Sequence, residues 1–396
     1  MKGKTRIAKA AEEMLTGSLL PFWQSLRDER HGGFYGGMDF SLQIDRRAEK
    51  GSILASRILW FFSTAARALG DRALVPYACH AYAFLRDACI DREQGGVFRS
   101  VTFDGKPADT GKHTDCQAFA LYALSAYYRL SGESEALALM KNLFSLMEER
   151  CRDGEGYSEA FARDFSPAEN GKLWESGVPA GRTMNTLLHV LEGYAGFYEV
   201  AKSPRAAAAM ERILYLHREK VYDPERRRQQ VLFDRDYRPL LDLTSYGHDI
   251  EASWLTDWAC GLLDNAILKA QTSALNSALA AQVLGEAYDG ALANGREGDR
   301  MDCRRVWWVQ AEGVLGFVNA WEKHPGSAAY REAVAGLWRY ITRHLVDSRP
   351  GGEWFWQVSP QGVPDEGKPI VSPWKCPYHN GRMCLELMRR DPGIFV

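Results

Sequence analysis

The sequence predicts an all-α protein, an (α/α)6 barrel of about twelve helices that forms a single domain over residues 1–396. Three observations carry this: long stretches with helical period, a scarcity of strand-like alternation, and a Gly-rich aromatic motif recurring about every sixty residues.

Apolar residues recur at helical spacing over 57–62, 117–130, 184–200, 250–263, 309–321 and 331–346. Between them stand Gly32-Gly33-Phe34-Tyr35, Gly95-Gly96-Val97-Phe98, Gly154-Glu155-Gly156-Tyr157 and Gly351-Gly352-Glu353-Trp354, whose first two steps are 63 and 59 residues. One helical hairpin plus its loop fills such a period, and each unit buries its apolar face only against its neighbours. The chain has room for about six units, which close as a ring. From Gly154 to Gly351 the punctuation fades to weak marks near Gln229 and Gly295, so the later units are inferred from the earlier ones. No Pro/Ser-rich or like-charged linker interrupts the chain.

With 46% hydrophobic and 25% charged residues, a large core can form. The net charge of −2, with the basic run 226–228 placed just after Asp223 and Glu225, offers no pull toward polyanions, so no nucleic-acid partner is expected. Charges break up the N-terminal stretch where a signal peptide would be apolar, and no segment is apolar enough to span a bilayer. A cytoplasmic protein without a membrane partner follows, monomeric or weakly dimeric. The eight cysteines are scattered and read mainly as small core residues. Cys376-Pro377-Tyr378-His379 lacks a second Cys/His pair, so no metal and no cofactor is expected.

Chemistry-bearing residues gather where inner helices begin. In Tyr246-Gly247-His248-Asp249-Ile250-Glu251, Gly247 reads as a turn and His248 falls in the first turn of a helix, with Glu251 three residues on along one face. A carboxylate beside an imidazole raises its basicity and a helix N-terminus lowers it, which leaves His248 a neutral base near pH 7; a simple helix cap is the bland alternative. His379 lies between Pro377 and Gly381, read as a constrained loop before the last helix. Asn185 and His189 share a helical face, and Arg57 sits in apolar text where a guanidinium needs an acceptor, either an internal acid or an anionic intermediate. Trp307 and Trp308 open a helix, where one indole can stack on the apolar face of a sugar.

Together these groups suit proton abstraction next to a carbonyl: a base, a cation for the developing enediolate, and an acid on the opposite face. No phosphate loop, Rossmann fingerprint or serine-nucleophile motif is present, which sets aside redox, phosphoryl and acyl transfer. An inverting glycosidase would need two separated carboxylates where these motifs carry histidines. A non-catalytic carbohydrate-binding module would need the aromatics and none of the acid/base set.

Four blocks, KGSILASRILWFF, YGHDIEASW, VWWVQAE and PWKCPYHNGRMC, resemble the N-acylglucosamine 2-epimerase superfamily and within it the cellobiose 2-epimerase branch, from Leu20 to Cys384. The resemblance implies a metal-free (α/α)6-barrel isomerase inverting C2 of the reducing-end glucose of β-1,4-linked disaccharides, such as cellobiose or lactose. The alternative within the same family is a monosaccharide epimerase or aldose–ketose isomerase. The resemblance also implies roles. His248 and His379 are the acid/base pair with Glu251 supporting His248, His189 serves ring opening, Arg57 meets the cis-enediol, Asn185 is a neighbouring polar contact, and Trp308 and Trp374 stack on sugars. Relatives commonly carry Tyr where this chain has Asp115, a change expected to alter substrate contacts.

Overall fold

In the computed structural model, which describes residues 5–168 and 178–394, twelve helices form two concentric rings. The inner ring is α3 (Ser52–Leu69), α5 (Thr114–Ser131), α7 (Met184–Ala201), α9 (Tyr246–Gly261), α11 (Trp307–Lys323) and α13 (His379–Arg390). Each packs on the next, and α13 packs back on α3, which closes the barrel. The outer ring comprises α4 (Val75–Phe84), α6 (Ser134–Leu146), α8 (Pro204–Leu216), α10 (Ala266–Ala287), α12 (Ala328–Tyr340) and an N-terminal helix. That last helix is α1 (Arg6–Met14) joined to α2 (Leu20–Ser25) through a π turn, and it packs on α13. The predicted fold class is thus present.

The expected segments fall within these helices with shifted ends. The 331–346 stretch stops being α-helical at Tyr340 and finishes as a π turn at Ile341–Leu345, a feature that α4, α6 and α8 repeat. Gly247, read as a turn, is the second residue of α9. It is glycine for a packing reason: a Cβ there would lie 2.5 Å from the Trp308 ring. Likewise a Cβ on Gly316 of α11 would lie 2.7 Å from the Ile250 carbonyl of α9, so this residue lets two inner helices touch backbone to backbone.

One local device recurs round the crown of the barrel. Asp28, Asp91, Asp153, Asp223 and Asp347 each accept backbone N–H bonds from residues two or three places on, which shapes the loop that follows each outer helix. A cation just before the next inner helix then pins the loop. Lys50 bonds Asp28 Oδ2 (2.7 Å) and the Gly32 carbonyl (2.7 Å), and Lys112 bonds Asp91 Oδ2 (3.0 Å) and the Gly95 carbonyl (2.9 Å). Arg182 and Arg305 do the same to Asp153 (2.8 Å) and Asp289 (2.7 Å). Gly32 and Gly95 hold φ of +77° and +78°, the left-handed region that these turns require. Short antiparallel ladders, among them Lys50–Gly51 with Ser100–Val101 and Arg305–Val306 with Gln357–Val358, tie each unit to its successor. The crown is therefore rigid at the end where the inner helices start.

Candidate functional site

That end opens into a cavity of about 800 Å³, a size suited to a small organic ligand. Arg57, Asp115, Asn185, His189, His248, Glu251, Trp308, Trp374 and His379 all line it. Their convergence follows from the helical repeat. Arg57, Phe119, His189, Glu251 and Glu312 are each the sixth residue of successive inner helices, and Asp115, Asn185 and Trp308 are each the second. Equivalent positions in equivalent helices face the same axis.

His248 and His379 flank Trp308, with ring centroids 4.7 Å and 5.5 Å from the indole. His379 is the first residue of α13 rather than a loop residue, and it is buried. Its Nδ1 lies 2.7 Å from Glu312 Oε1. The carboxylate accepts the Nδ1 proton, which leaves Nε2 as the basic nitrogen. Burial first, then the charges of Arg57 and Arg382, hold the His379 imidazolium well below its ordinary range. His248 Nδ1 is 2.7 Å from the Ser245 hydroxyl and its Nε2 is 3.1 Å from Asn185 Oδ1. Burial, with a smaller contribution from His189, pushes His248 down to about 3. Both imidazoles are neutral at pH 7, the state in which each can take up a proton.

Glu251 departs from its expected place beside His248. Its Oε1 bonds Arg382 and stands 3.9 Å from His379 Nδ1, so its field acts on the other histidine. The reason is a buried ionic layer beneath the cavity, in which Arg382 bonds Glu192, Glu251 and Glu312 at once. The Tyr378 hydroxyl also bonds Glu192, Glu192 Oε2 is 3.0 Å from His189 Nδ1, and Trp254 Nε1 donates to Glu312 Oε2 at 2.9 Å. Three carboxylates meet one guanidinium, and burial followed by the charge of Glu312 pushes Glu251 up to about 7. Glu251, Glu312 and His379 bring donor atoms within 4.8 Å of one another, a set of the kind that ligates cations. Arg382 already occupies the cation position, since its Nη2 bonds both carboxylates.

Arg57 is buried between two aromatic faces, with its guanidinium carbon 4.1 Å from the Phe119 centroid and 4.5 Å from that of Tyr378. Its hydrogen-bond partner is Cys376 Sγ at 3.8 Å, and among the described residues it forms no ion pair. A desolvated guanidinium without a carboxylate is a preformed acceptor of negative charge. Phe119 also touches His189, at 4.6 Å between centroids. Asp115 is 2% exposed, and its Oδ1 accepts from the Cys116 N–H (2.7 Å) at the start of α5. Trp374 stands at the rim, 38% exposed.

Sequence reasoning missed Ser245, Phe119, Glu192, Glu312, Tyr378 and Arg382 as site components. Glu312, Tyr378 and Arg382 lie inside the quoted blocks, and Phe119 and Glu312 share the helical position of His189 and Arg57; that register was the available signal.

Residues 18–380 match the family described as N-acylglucosamine 2-epimerase (GlcNAc 2-epimerase). A cellobiose 2-epimerase of Eubacterium cellulosolvens is 47% identical over 95% of this chain and 97% of its own. One of Ruminococcus albus is 45% identical over 96% and 98%. A sugar epimerase from a ruminal bacterium, solved by crystallography, superposes with a TM-score of 0.96 at 44% identity, covering 98% of this chain and all of its own. Sequence blocks, ring closure and cavity lining thus agree with these likenesses, and the chain belongs to the N-acylglucosamine 2-epimerase family, a family of carbohydrate 2-epimerases.

Proposed function

We propose that this enzyme inverts C2 of the reducing-end glucose of a β-1,4-linked disaccharide by proton abstraction and return, with His248 and His379 as the acid/base pair. The observation that carries this reading is the pair of neutral imidazoles flanking Trp308 in one cavity with the unpaired guanidinium of Arg57. The cellobiose 2-epimerases to which the chain is similar support the choice of disaccharide.

In the reaction, the reducing-end ring opens with His189 assisting. One imidazole takes the C2 proton, and the electron pair of that C–H bond becomes the C1–C2 double bond of a cis-enediolate. The negative charge collects on O1 and is neutralised by Arg57. Rotation about C2–C3 presents the other face to the second imidazole, which takes up a solvent proton and passes it to C2 as the carbonyl re-forms at C1. The imidazolium formed in the first step returns its proton to solvent, so both histidines end neutral. Neutral His379 is suited to the base role because Glu312 fixes its tautomer and stabilises the imidazolium as it forms. Trp308 and Trp374 provide stacking faces for the two sugars, and Asn185 and Asp115 provide polar contacts.

Replacing His248 or His379 by Ala should each lower turnover of cellobiose by about 10²- to 10⁴-fold with the helical circular dichroism unchanged. Most of the activity surviving either change would sink the assignment. Comparing cellobiose with mannose and N-acetylglucosamine as substrates separates the disaccharide reading from a monosaccharide one.

A further inference from the structure

The barrel has a second cavity, of about 350 Å³, at its opposite end. Glu251 lines the upper cavity and Arg382 the lower one, so the buried ionic layer is the partition between them. The lower wall is aromatic. Trp60 and Tyr122 stack with centroids 5.7 Å apart and 21° between planes, and Trp258 stands at 64° to Tyr122, 6.4 Å away. The two ring planes meet as an angled corner. Among the described residues the Trp60 and Trp258 indole N–H groups and the Tyr122 hydroxyl bond no protein group, and none of the three is sealed from the cavity. Donors left accessible on a cavity wall can be taken up by the hydroxyls of a ligand.

The rim is polar and held in place. Arg129 bonds Glu199 at 2.6 Å, and Glu386 receives Arg389 through bonds of 3.0 and 2.6 Å. These two guanidiniums are already neutralised, and Arg67 on the same wall, which forms no ion pair among the described residues, adds a further hydrogen-bond donor. Moreover α3, α5, α7 and α13 end at this mouth, with caps at Gly70, Gly132, Lys202 and Asp391, so their carbonyl ends face it. Helix C-termini disfavour an anion. A neutral ligand with an apolar face for the aromatic corner and hydroxyls for the waiting donors and the rim carboxylates answers all of these features. We infer that the lower cavity is a second, non-catalytic binding site for a neutral saccharide. No turnover is expected there, since its lining among the described residues includes no histidine.

The test is fluorine NMR of the full-length enzyme labelled with 5-fluorotryptophan, titrated with methyl β-cellobioside, whose blocked anomeric carbon prevents ring opening. Assignment uses Trp258→Phe and Trp308→Phe. The Trp258 resonance should shift saturably with its own midpoint, distinct from that of Trp308. Arg129→Ala, which removes a rim group outside the catalytic machinery, should raise the Trp258 midpoint at least about fivefold and leave the Trp308 curve and the turnover of cellobiose unchanged. A Trp258 resonance that stays still while Trp308 responds, or that follows the Trp308 curve and ignores Arg129→Ala, overturns the site. A silent Trp308 beside a responding Trp258 would count against the proposed function and leave this inference standing.

Discussion

Glu312→Gln isolates the part that the buried ionic layer plays in proton transfer. Glu312 Oε1 accepts from His379 Nδ1 and Arg382 Nη2, each at 2.7 Å, and Oε2 accepts from Trp254 Nε1 at 2.9 Å. A glutamine keeps its carbonyl toward His379 and Arg382, which together present two donors, and turns its NH2 toward the Trp254 N–H. The tautomer of His379 is kept; what disappears is the negative charge that stabilises its imidazolium. A carboxylate at this range shifts an imidazolium by about 1 to 3 pKa units, so kcat on cellobiose should fall about 10- to 10³-fold. KM should hardly change, because the imidazole is neutral in the ground state and the charge appears only on the way to the enediolate. Stability responds differently. The lost charge-assisted bonds cost about 1.5 to 3 kcal/mol each. Relief of repulsion from Glu251, with donor atoms within 4.8 Å, returns about 3 kcal/mol at an effective dielectric near 20. With three such bonds weakened, the variant should be net destabilised by about 1.5 to 6 kcal/mol. Steady-state kinetics beside urea denaturation measures both, and an intact variant with kcat within about threefold of wild type would refute the reasoning.

Three further outcomes follow from the same contacts. Phe119→Leu removes the ring beneath Arg57 and beside His189, worth about 1 to 2 kcal/mol to a desolvated guanidinium, so kcat should drop about tenfold while Phe119→Tyr keeps most of it; equal kinetics in both variants would contradict a positioning role. Glu251, pushed up to about 7, binds an extra proton in the folded state between about pH 4.5 and about pH 7, so its contribution to stability declines as pH rises through that window. Glu251→Gln should therefore reduce the loss of urea-derived stability between about pH 4.5 and about pH 7 by about 3 kcal/mol, and an unchanged loss would count against the shift. Lys50→Met strands the carboxylate of Asp28, which is 1% exposed, and should cost about 3 to 5 kcal/mol by urea denaturation; a loss under about 1 kcal/mol would contradict the pinning role.

The fold was legible where local chemistry repeats in the same letters. Gly32-Gly33 and Gly95-Gly96 mark the turns that Lys50 and Lys112 pin, so the first units stand out. The more constant signal was the aspartate opening each loop. Asp223 and Asp289 open theirs without the Gly-Gly-aromatic signature, which is why the later units looked faint. The cavity residues were legible because chemically conspicuous side chains cluster at the starts of inner helices. The layer beneath them was not. Glu192 and Arg382 meet across 190 residues of sequence, and inside their own helices each reads as one more charged position. For the same reason sequence proximity points Glu251 toward His248, although ring closure brings it against Arg382 and His379.

The central claim is carbon-bound proton exchange at C2 by two histidines. Proton NMR of cellobiose incubated with the enzyme in deuterium oxide, without added metal, tests it most directly. Mannose-type anomeric signals at the reducing end with deuterium at C2 should appear, and both should be lost in His248→Ala and His379→Ala. Epimerization that proceeds at full rate with the C2 proton retained would contradict it.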